Sequence, residues 1–509
     1  MSRTRLGIKS SFILAIEAIL IGVLTIARTK SIIDTFGTNV NAIVQLAVQF
    51  SAYLLLFESG MTAAYQYNMY RPLIDKNYKK ISALYNGLKF NMKTITINMF
   101  ILGVIISIIY PYMLTEKGIS YINVVSILIV MSLRIICPYI LTLPMRTLLI
   151  VKEKKYITDI IECVKNTVTI ITEIVLIKYT KLPLAFILLV YIFYTALTRG
   201  IYIKLVNINY NGKIDKFENK DMTPKNMTND ILVHKIASLI TSNTDSVLLS
   251  MFSTLNNVTI YTSYYTLISY PITLLTRMID SIRASIALKV NEDTEKSFSI
   301  FKEMISLELF CFGIVVPVFI IMVNPFVDLW IGREFRMGYI DIILMSFIAL
   351  HRMIIPTIYA TRDAKGLYKE SKNFSLVQAI VNMILSLLLI KPFGITGILI
   401  GTCIADFCIL QPKNYSLIYS KIFNRKIDIY YNIIVSIALC VLSTIISLIS
   451  LKLLSFDISN LWLSFVYETI ICLFISTIVN FIGLYILDKY FRCLIQRFNI
   501  LGKKAILIK

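Results

Sequence analysis

Charge is scarce in this chain: Asp, Glu, Lys and Arg make up 16% of 509 residues, where soluble domains carry about 25%. Histidine is almost missing, with His234 and His351 alone, too few for a histidine-based metal site. The eight cysteines (Cys137, Cys163, Cys311, Cys403, Cys408, Cys440, Cys472 and Cys493) form no Cys-x-x-Cys pair, and most lie inside apolar runs. They read as small apolar side chains, not disulfides or metal ligands. Nucleic-acid motifs are lacking, and so is a long loop carrying paired acids and bases at one face. The composition therefore argues against an enzyme and against a nucleic-acid partner.

What is abundant is apolar sequence. Hydrophobic residues reach 57% and the mean hydropathy is +0.74, which reads as a polytopic membrane protein. At about 20 apolar residues per crossing, the chain divides into fourteen expected helices: 11–30, 39–60, 90–110, 121–142, 156–177, 182–205, 230–252, 258–284, 303–324, 338–360, 373–391, 395–418, 429–451 and 461–486. The first run follows Arg3, Arg5 and Lys9 in the manner of a secretory leader. It lacks a small-residue cleavage pattern and ends in Arg28-Thr29-Lys30, so it reads as a transmembrane helix.

The formal net charge of +21 sits between the spans, as the positive-inside rule expects. Basic residues gather at 71–80, 152–155, 207–229, 361–372 and 421–426 and in the tail after Asp488, while the opposite intervals hold few. Both termini are therefore expected on the cytoplasmic side. The polar stretch 207–229 divides an N-terminal lobe of six helices (1–206) from a C-terminal lobe of six (230–420). Two added helices (421–487) and a basic, amphipathic tail (488–509) follow, the tail expected on the anionic leaflet. An internal echo between residues 29–40 and 244–258 supports two related halves. In repeat-built transporters, substrate and ion sites lie near the midplane. Asp245 stands out within 233–271, because a carboxylate at membrane depth costs at least about 2.5 kcal/mol and is kept mainly where it faces water or binds a cation.

Five stretches, taken together and in order, resemble a known family: ARTKSIIDTFG, LLLFESGMTAAYQYNMYRPLIDKNYKKISAL, HKIASLITSNTDSVLLSMFSTLNNVTIYTSYYTLI, NPFVDLWIG and ATRDAKGLYKESKNFSLVQAIVNMILSLLLIKPFGITGILIGT. They are similar to bacterial polysaccharide flippases, the O-antigen and capsule repeat-unit transporters of the multidrug/oligosaccharidyl-lipid/polysaccharide exporter superfamily. The resemblance implies two six-helix bundles in a V, with two further helices and alternating access of a central cavity. It implies transfer of undecaprenyl-pyrophosphate-linked oligosaccharide from the inner to the outer leaflet of the bacterial cytoplasmic membrane. Expected partners are that lipid-linked oligosaccharide, membrane lipids and the glycosyltransferases or polymerase of the same pathway; a monomer is the default. No cofactor is expected beyond a coupling Na+ or H+.

A pyrophosphate inside such a cavity needs cations. Arg28 matches the family's Arg in ARTKSIIDTFG and is either a phosphate or sugar contact or an interface anchor. Lys165 lies mid-span, where Glu162 one turn away could neutralise it. Arg134, Arg277 and Arg352 are each read as cavity lining or interface anchoring, with Arg277, Asp280 and Arg283 on one stripe. Glu58 is read as capping or pairing with Arg71, and Glu17 as titrating or as a neutral hydrogen-bonded acid. Related lipid II flippases build a sodium site from an acid, an Asn and a Thr on equivalent helices, which maps onto Asp245, Asn382 and Thr402. Ser386 stands where a second acid can occur. Oxygen ligands of this kind suit a hard cation. Two other readings stay open: a cation-coupled multidrug exporter of the same superfamily, whose cavity would favour acids and aromatics, and a membrane-embedded polysaccharide polymerase or ligase, which would need a long outer loop.

Overall fold

Runs of twenty or more apolar residues in lipid must satisfy every backbone N–H and C=O internally, and the α-helix does so within one segment. The computed structural model is built this way. It describes residues 3–58, 60–115, 119–215, 217–223, 239, 243–292, 294–454 and 459–506, and no strand occurs among them. Residues 224–238 and 240–242 lie outside the described residues. They hold the end of the expected linker and the start of the seventh expected span, His234 and Thr241 included. Lys117, residues 507–509 and the side chains of Asp280 and Arg283 also lie outside them.

Two compact units divide the chain, Met1–Thr262 and Ser263–Lys509. The first contains α1 (Arg3–Phe36), α2 (Thr38–Leu54), α3 (Met61–Ile74), α4 (Tyr78–Ile109), α5 (Tyr121–Leu141), α6 (Leu143–Val151), α7 (Lys155–Tyr179), α8 (Leu184–Leu188) and α9 (Val190–Tyr210). A helical stretch over 243–252, here α10, follows, and α11 (Leu255–Glu292) carries the division between units. Gly37 and Gly60, at φ 88° and 85°, break the chain between helices where a side chain would be strained. Glu58 caps α3, its Oε1 accepting from Thr62 N at 3.0 Å, while Arg71 pairs with Asp75 at 3.2 Å. The core gathers Tyr65, Leu88, Met92, Leu148 and Tyr202 from α3, α4, α6 and α9.

α10 and the start of α11 belong to this first unit because their polar side chains are used there. Tyr53 and Thr244 share a hydrogen bond of 3.2 Å, Thr115 Oγ1 donates to Met251 O at 2.8 Å, and Thr259 Oγ1 donates to Thr38 O at 3.0 Å. The stretches 29–40 and 244–258, which echo each other in sequence, both run helix, break, helix.

The second unit continues α11 and adds α12 (Thr294–Trp330), α13 (Tyr339–Ala364), α14 (Tyr368–Ile404), α15 (Gln411–Ile418), α16 (Ile429–Leu453), α17 (Leu461–Leu487) and α18 (Lys489–Ile506). α14 turns sharply at Gly394, where φ 57° and ψ −126° leave the helical region. Its two arms then pack as a hairpin, close enough that a Cβ at Gly401 would meet Ser386 Oγ at 3.0 Å. Wide π-type turns at Ala405–Leu410 and Tyr419–Phe423 flank α15. The amphipathic α18 buries Phe491 and Leu494, with the Phe491 ring 5.2 Å from Phe310 and 5.8 Å from Phe481.

Among the described residues, nine helical segments are long and apolar enough to cross a membrane by length and composition. The expected spans 373–391 and 395–418 fall in a single run, Glu370–Phe423. α1, α7 and α11 are long helices outside that set. The chain is a multi-pass membrane protein.

Candidate functional site

α7 is the helix that composition nearly hides. Asp159, Glu162, Lys165, Asn166, Thr169 and Glu173 recur at three- and four-residue spacing, so they line one face. That face is turned inward: Asp159, Lys165, Thr169 and Glu173 are buried. Charges at such a place persist only when paired: Glu173 finds its partners on neighbouring helices, and Lys165 and Glu162 pair along α7 itself.

Glu173, fully buried, is shared by two guanidiniums. Arg28 of α1 donates from Nη1 to Glu173 Oε2 at 2.9 Å, and Arg134 of α5 donates to Glu173 Oε1 and, at 3.2 Å, to Leu188 O. One carboxylate against two guanidiniums leaves this trio positively charged. A second trio lies further along the helix. Glu162 accepts from Lys165 Nζ at 2.7 Å, faces Arg146 Nη1 at 3.6 Å and accepts from Tyr202 OH at 3.0 Å. Tyr191 of α9 links the two: Arg134 Cζ lies 4.7 Å and Lys165 Nζ 4.5 Å from its ring centroid, and Lys165 Nζ also donates to its hydroxyl at 3.2 Å. Such placement suits cations that are only partly neutralised by carboxylates. At the edge of the seam, Glu17 of α1 accepts from Asn166 at 3.4 Å.

The structure thus brings Arg134 and Lys165 together around Tyr191, and joins Arg28 to Arg134 through Glu173. Glu173 and Arg146 were not singled out in the sequence, although the stripe spacing on 159–173 carries the signal for Glu173. Arg146 lies on short α6, between two expected spans. In the second unit, Arg352 of α13 donates to Tyr265 OH and lies 5.0 Å from that ring centroid, and Arg277 lies on α11, half-buried.

The residues read as coupling-ion ligands are buried as well. Asp245 of α10, 2% exposed, accepts from Tyr261 OH at 2.8 Å through Oδ2. In the second unit, Asn382 Nδ2 donates to Thr402 Oγ1 at 2.8 Å across the α14 hairpin, and Ser386 lies one turn beyond Asn382. Asn382 Oδ1 and Ser386 Oγ are buried with no hydrogen-bond partner. Buried oxygens with unused lone pairs are what a hard monovalent cation needs, so Asn382, Ser386 and Thr402 fit sodium in kind. Among the described residues, no group of three or more His, Cys, Asp or Glu is arranged to hold a metal ion.

No family model and no curated protein matches the chain by sequence. Its fold does match. Lipid II flippase MurJ, in an inward closed conformation, superposes with a TM-score of 0.71 over 93% of this chain and 99% of that one, at 16% identity. An inward-facing multidrug resistance MATE family transporter of the MOP superfamily superposes with a TM-score of 0.60 over 80% of this chain and 99% of that one, at 12% identity. These likenesses assign the fold. By name, one neighbour is a lipid II flippase and the other a multidrug resistance transporter.

Proposed function

We propose that this protein moves an anionic lipid-linked oligosaccharide, of the undecaprenyl-pyrophosphate type, from the inner to the outer leaflet of a bacterial cytoplasmic membrane by alternating access. One observation carries the reading: the buried seam of the first unit holds Arg28, Arg134, Lys165 and Arg146 against Glu173, Glu162 and Asp159, with two guanidiniums sharing the single carboxylate of Glu173. Guanidinium and ammonium groups already inside the protein need only exchange a carboxylate partner for a phosphate oxygen to bind a pyrophosphate, and Arg does this with a bidentate fork. A glycan and its pyrophosphate cannot cross hydrocarbon unaided, whereas the polyprenyl tail can remain in lipid. The drug-exporter reading calls for a cavity that attracts cations, and the two trios argue against it.

Transport is driven by a cation gradient. Within the second unit, Asn382, Ser386 and Thr402 offer neutral oxygens to sodium, and within the first unit Asp245 offers a carboxylate of its own; a cation bound at either supplies charge that biases one conformation over another. Arg277 and Arg352 stay candidate lining cations, both termini face the cytoplasm, and the protein acts as a monomer beside the glycosyltransferases or polymerase of its pathway.

The test is genetic and biochemical. In a deletion strain, lipid-linked repeat units are isolated and their leaflet assigned with a membrane-impermeant probe. Accumulation in the inner leaflet, relieved by wild type but not by Lys165→Ala, is the expected result. Unchanged lipid-linked pools together with raised sensitivity to cationic drugs would replace this reading with the exporter one.

A further inference from the structure

The second unit holds a buried acid–base pair that the transport reading leaves unused. His351 of α13 and Asp406 of the wide turn Ala405–Leu410 are 5% and 2% exposed, and His351 Nε2 stands 3.8 Å from Asp406 Oδ1. Each is held from behind by an amide. Gln411 Nε2 donates to His351 Nδ1 at 2.9 Å, and Gln378 Nε2 donates to Asp406 Oδ1 at 2.8 Å. Because Nδ1 accepts, the neutral ring carries its proton on Nε2, the nitrogen that faces Asp406. A π-type turn is costly and recurs at functional sites; here it sets the carboxylate against a histidine on another helix. Phe407, the next residue, lies edge-on to the imidazole with centroids 6.2 Å apart.

We propose that His351 and Asp406 form a proton-binding site, and that the transporter takes up and releases one proton there in each cycle. Uptake adds the proton to His351 Nδ1. Gln411 turns its amide end for end so that Oε1 accepts the new N–H, while Nε2–H donates to Asp406. No bond to a heavy atom breaks, and the pair passes from one net negative charge to none. An amide can serve either protonation state, and a buried site is more stable without the net charge, which sets the stoichiometry at one.

The other groups around the pair are accounted for. Arg352, on the same helix as His351, opposes the imidazolium electrostatically and is itself engaged with Tyr265 of α11. From α12, Glu308 is turned to Thr357, which donates to it at 2.8 Å. α14 supplies Gln378 and Cys403, and Cys403 feels the Asp406 charge. Tyr359, further along α13, interacts with Asp406, Arg362 and Asp363. From α15 the group in contact is neutral Gln411. Asp406 is therefore the acid that faces the ring.

The coupling role rests on the transporter reading above, whereas proton binding itself does not. Full-length protein with histidine-selective 15N labelling, in lipid nanodiscs, contains two imidazoles, His234 and His351, and His351→Gln assigns them. The His351 ring is expected to pass from neutral to imidazolium as the pH is lowered across the range in which the protein stays folded. In Asp406→Asn the midpoint should move to lower pH by about one unit, a tenfold weaker proton affinity, because the imidazolium loses its counter-charge. A His351 signal constant across that range, or a midpoint unmoved in folded Asp406→Asn, overturns the site. Should Asp406→Asn fail to fold, the wild-type titration decides alone. In proteoliposomes, His351→Gln should abolish the dependence of lipid-linked oligosaccharide flipping on an imposed pH gradient. If wild type shows no flipping while His351 titrates as expected, the substrate reading fails and the proton site stands. A gradient dependence kept in His351→Gln overturns the coupling role.

Discussion

Glu173 accepts from Arg28 and Arg134 at once and is itself fully buried, so replacing it tests whether the seam is held by charge. Glu173→Gln leaves two guanidiniums facing a neutral amide. Removing one partner from a buried ionic cluster costs about 3–5 kcal/mol, and a lower thermal unfolding midpoint in detergent is expected. The contrast is Arg71→Ala. Its pair with Asp75 is 85% and 52% exposed, and the change should stay within about 0.5 kcal/mol. Lys165 was legible in the sequence because an unpaired charge mid-span is conspicuous, and Glu162 was legible as its neighbour. Glu173 was not singled out, because a carboxylate draws attention only once the two arginines that approach it from α1 and α5 are known, and those lie 145 and 39 residues away. The same reason hid the His351 environment, whose amide partner Gln411 is 60 residues distant.

At the scale of elements, the polar stretch after α9 is a strap on the first unit and not a free tether over its described part. Asp221 N donates to Ala83 O at 3.0 Å, Tyr65 OH donates to Asp221 O at 3.0 Å, and Asn86 Nδ2 donates to Glu218 O at 2.9 Å. Gly87 makes this contact possible, since a Cβ there would collide with the Asp221 carbonyl. Gly87→Ala should therefore lift the strap, read as faster amide exchange over 217–223 with the helical core unchanged. Lys80 Nζ lies 2.5 Å from the Asp221 carboxylate. Although partial burial raises the Asp221 carboxyl, hydrogen bonds from Lys80 and Thr223 outweigh it and bring its pKa down to about 2 from 3.8. A depressed carboxylate contributes above its unfolded value and loses that contribution as pH falls through the folded one. The strap should resist pepsin down to pH 3 and yield near pH 2, and Lys80→Met should move the onset up towards 3.8. None of this was legible from composition, which marks 207–229 as polar and cytoplasmic but says nothing of its contacts with α4. The helices themselves were legible, because apolar length is the whole requirement for crossing. The corner at Gly394 fell between two expected spans, as a glycine after a proline suggests, while the wide turns flanking α15 leave no mark in sequence. Asp488 shows a similar hidden role. It caps α18 by accepting from Tyr490 N at 2.9 Å and also accepts from Ser306 and Asn432. Asp488→Ala should cost more than the ~1 kcal/mol of a lost cap and release α18 to proteolysis.

At the scale of the whole molecule, the proposed function requires two ligands to be kept chemically distinct while they are linked energetically. The first unit gathers arginine and lysine in the seam to which the proposal assigns phosphate, and the second holds the neutral oxygens and the histidine–aspartate pair to which it assigns a small cation. A ligand shifts a conformational equilibrium only by its differential affinity for the two states, so removing one kind of group should leave a different signature from removing the other. Lys165→Ala removes a charge-assisted contact, worth about 1.5–3 kcal/mol. It should weaken binding of lipid-linked oligosaccharide roughly tenfold or more while the remaining flipping keeps its ion dependence. Asp245→Ala should leave substrate binding within about twofold, since Asp245 lies on α10, where it accepts from Tyr261, and not on the α7 face that carries the seam. Its loss should appear instead as flipping that no longer responds to a sodium gradient, while the response to a pH gradient is kept. Both variants are read in proteoliposomes by the same leaflet assay, with binding measured separately on the purified protein. Equal loss of affinity in the two would mean that Asp245 supports the anion site, and the division of labour between seam and coupling group would be wrong.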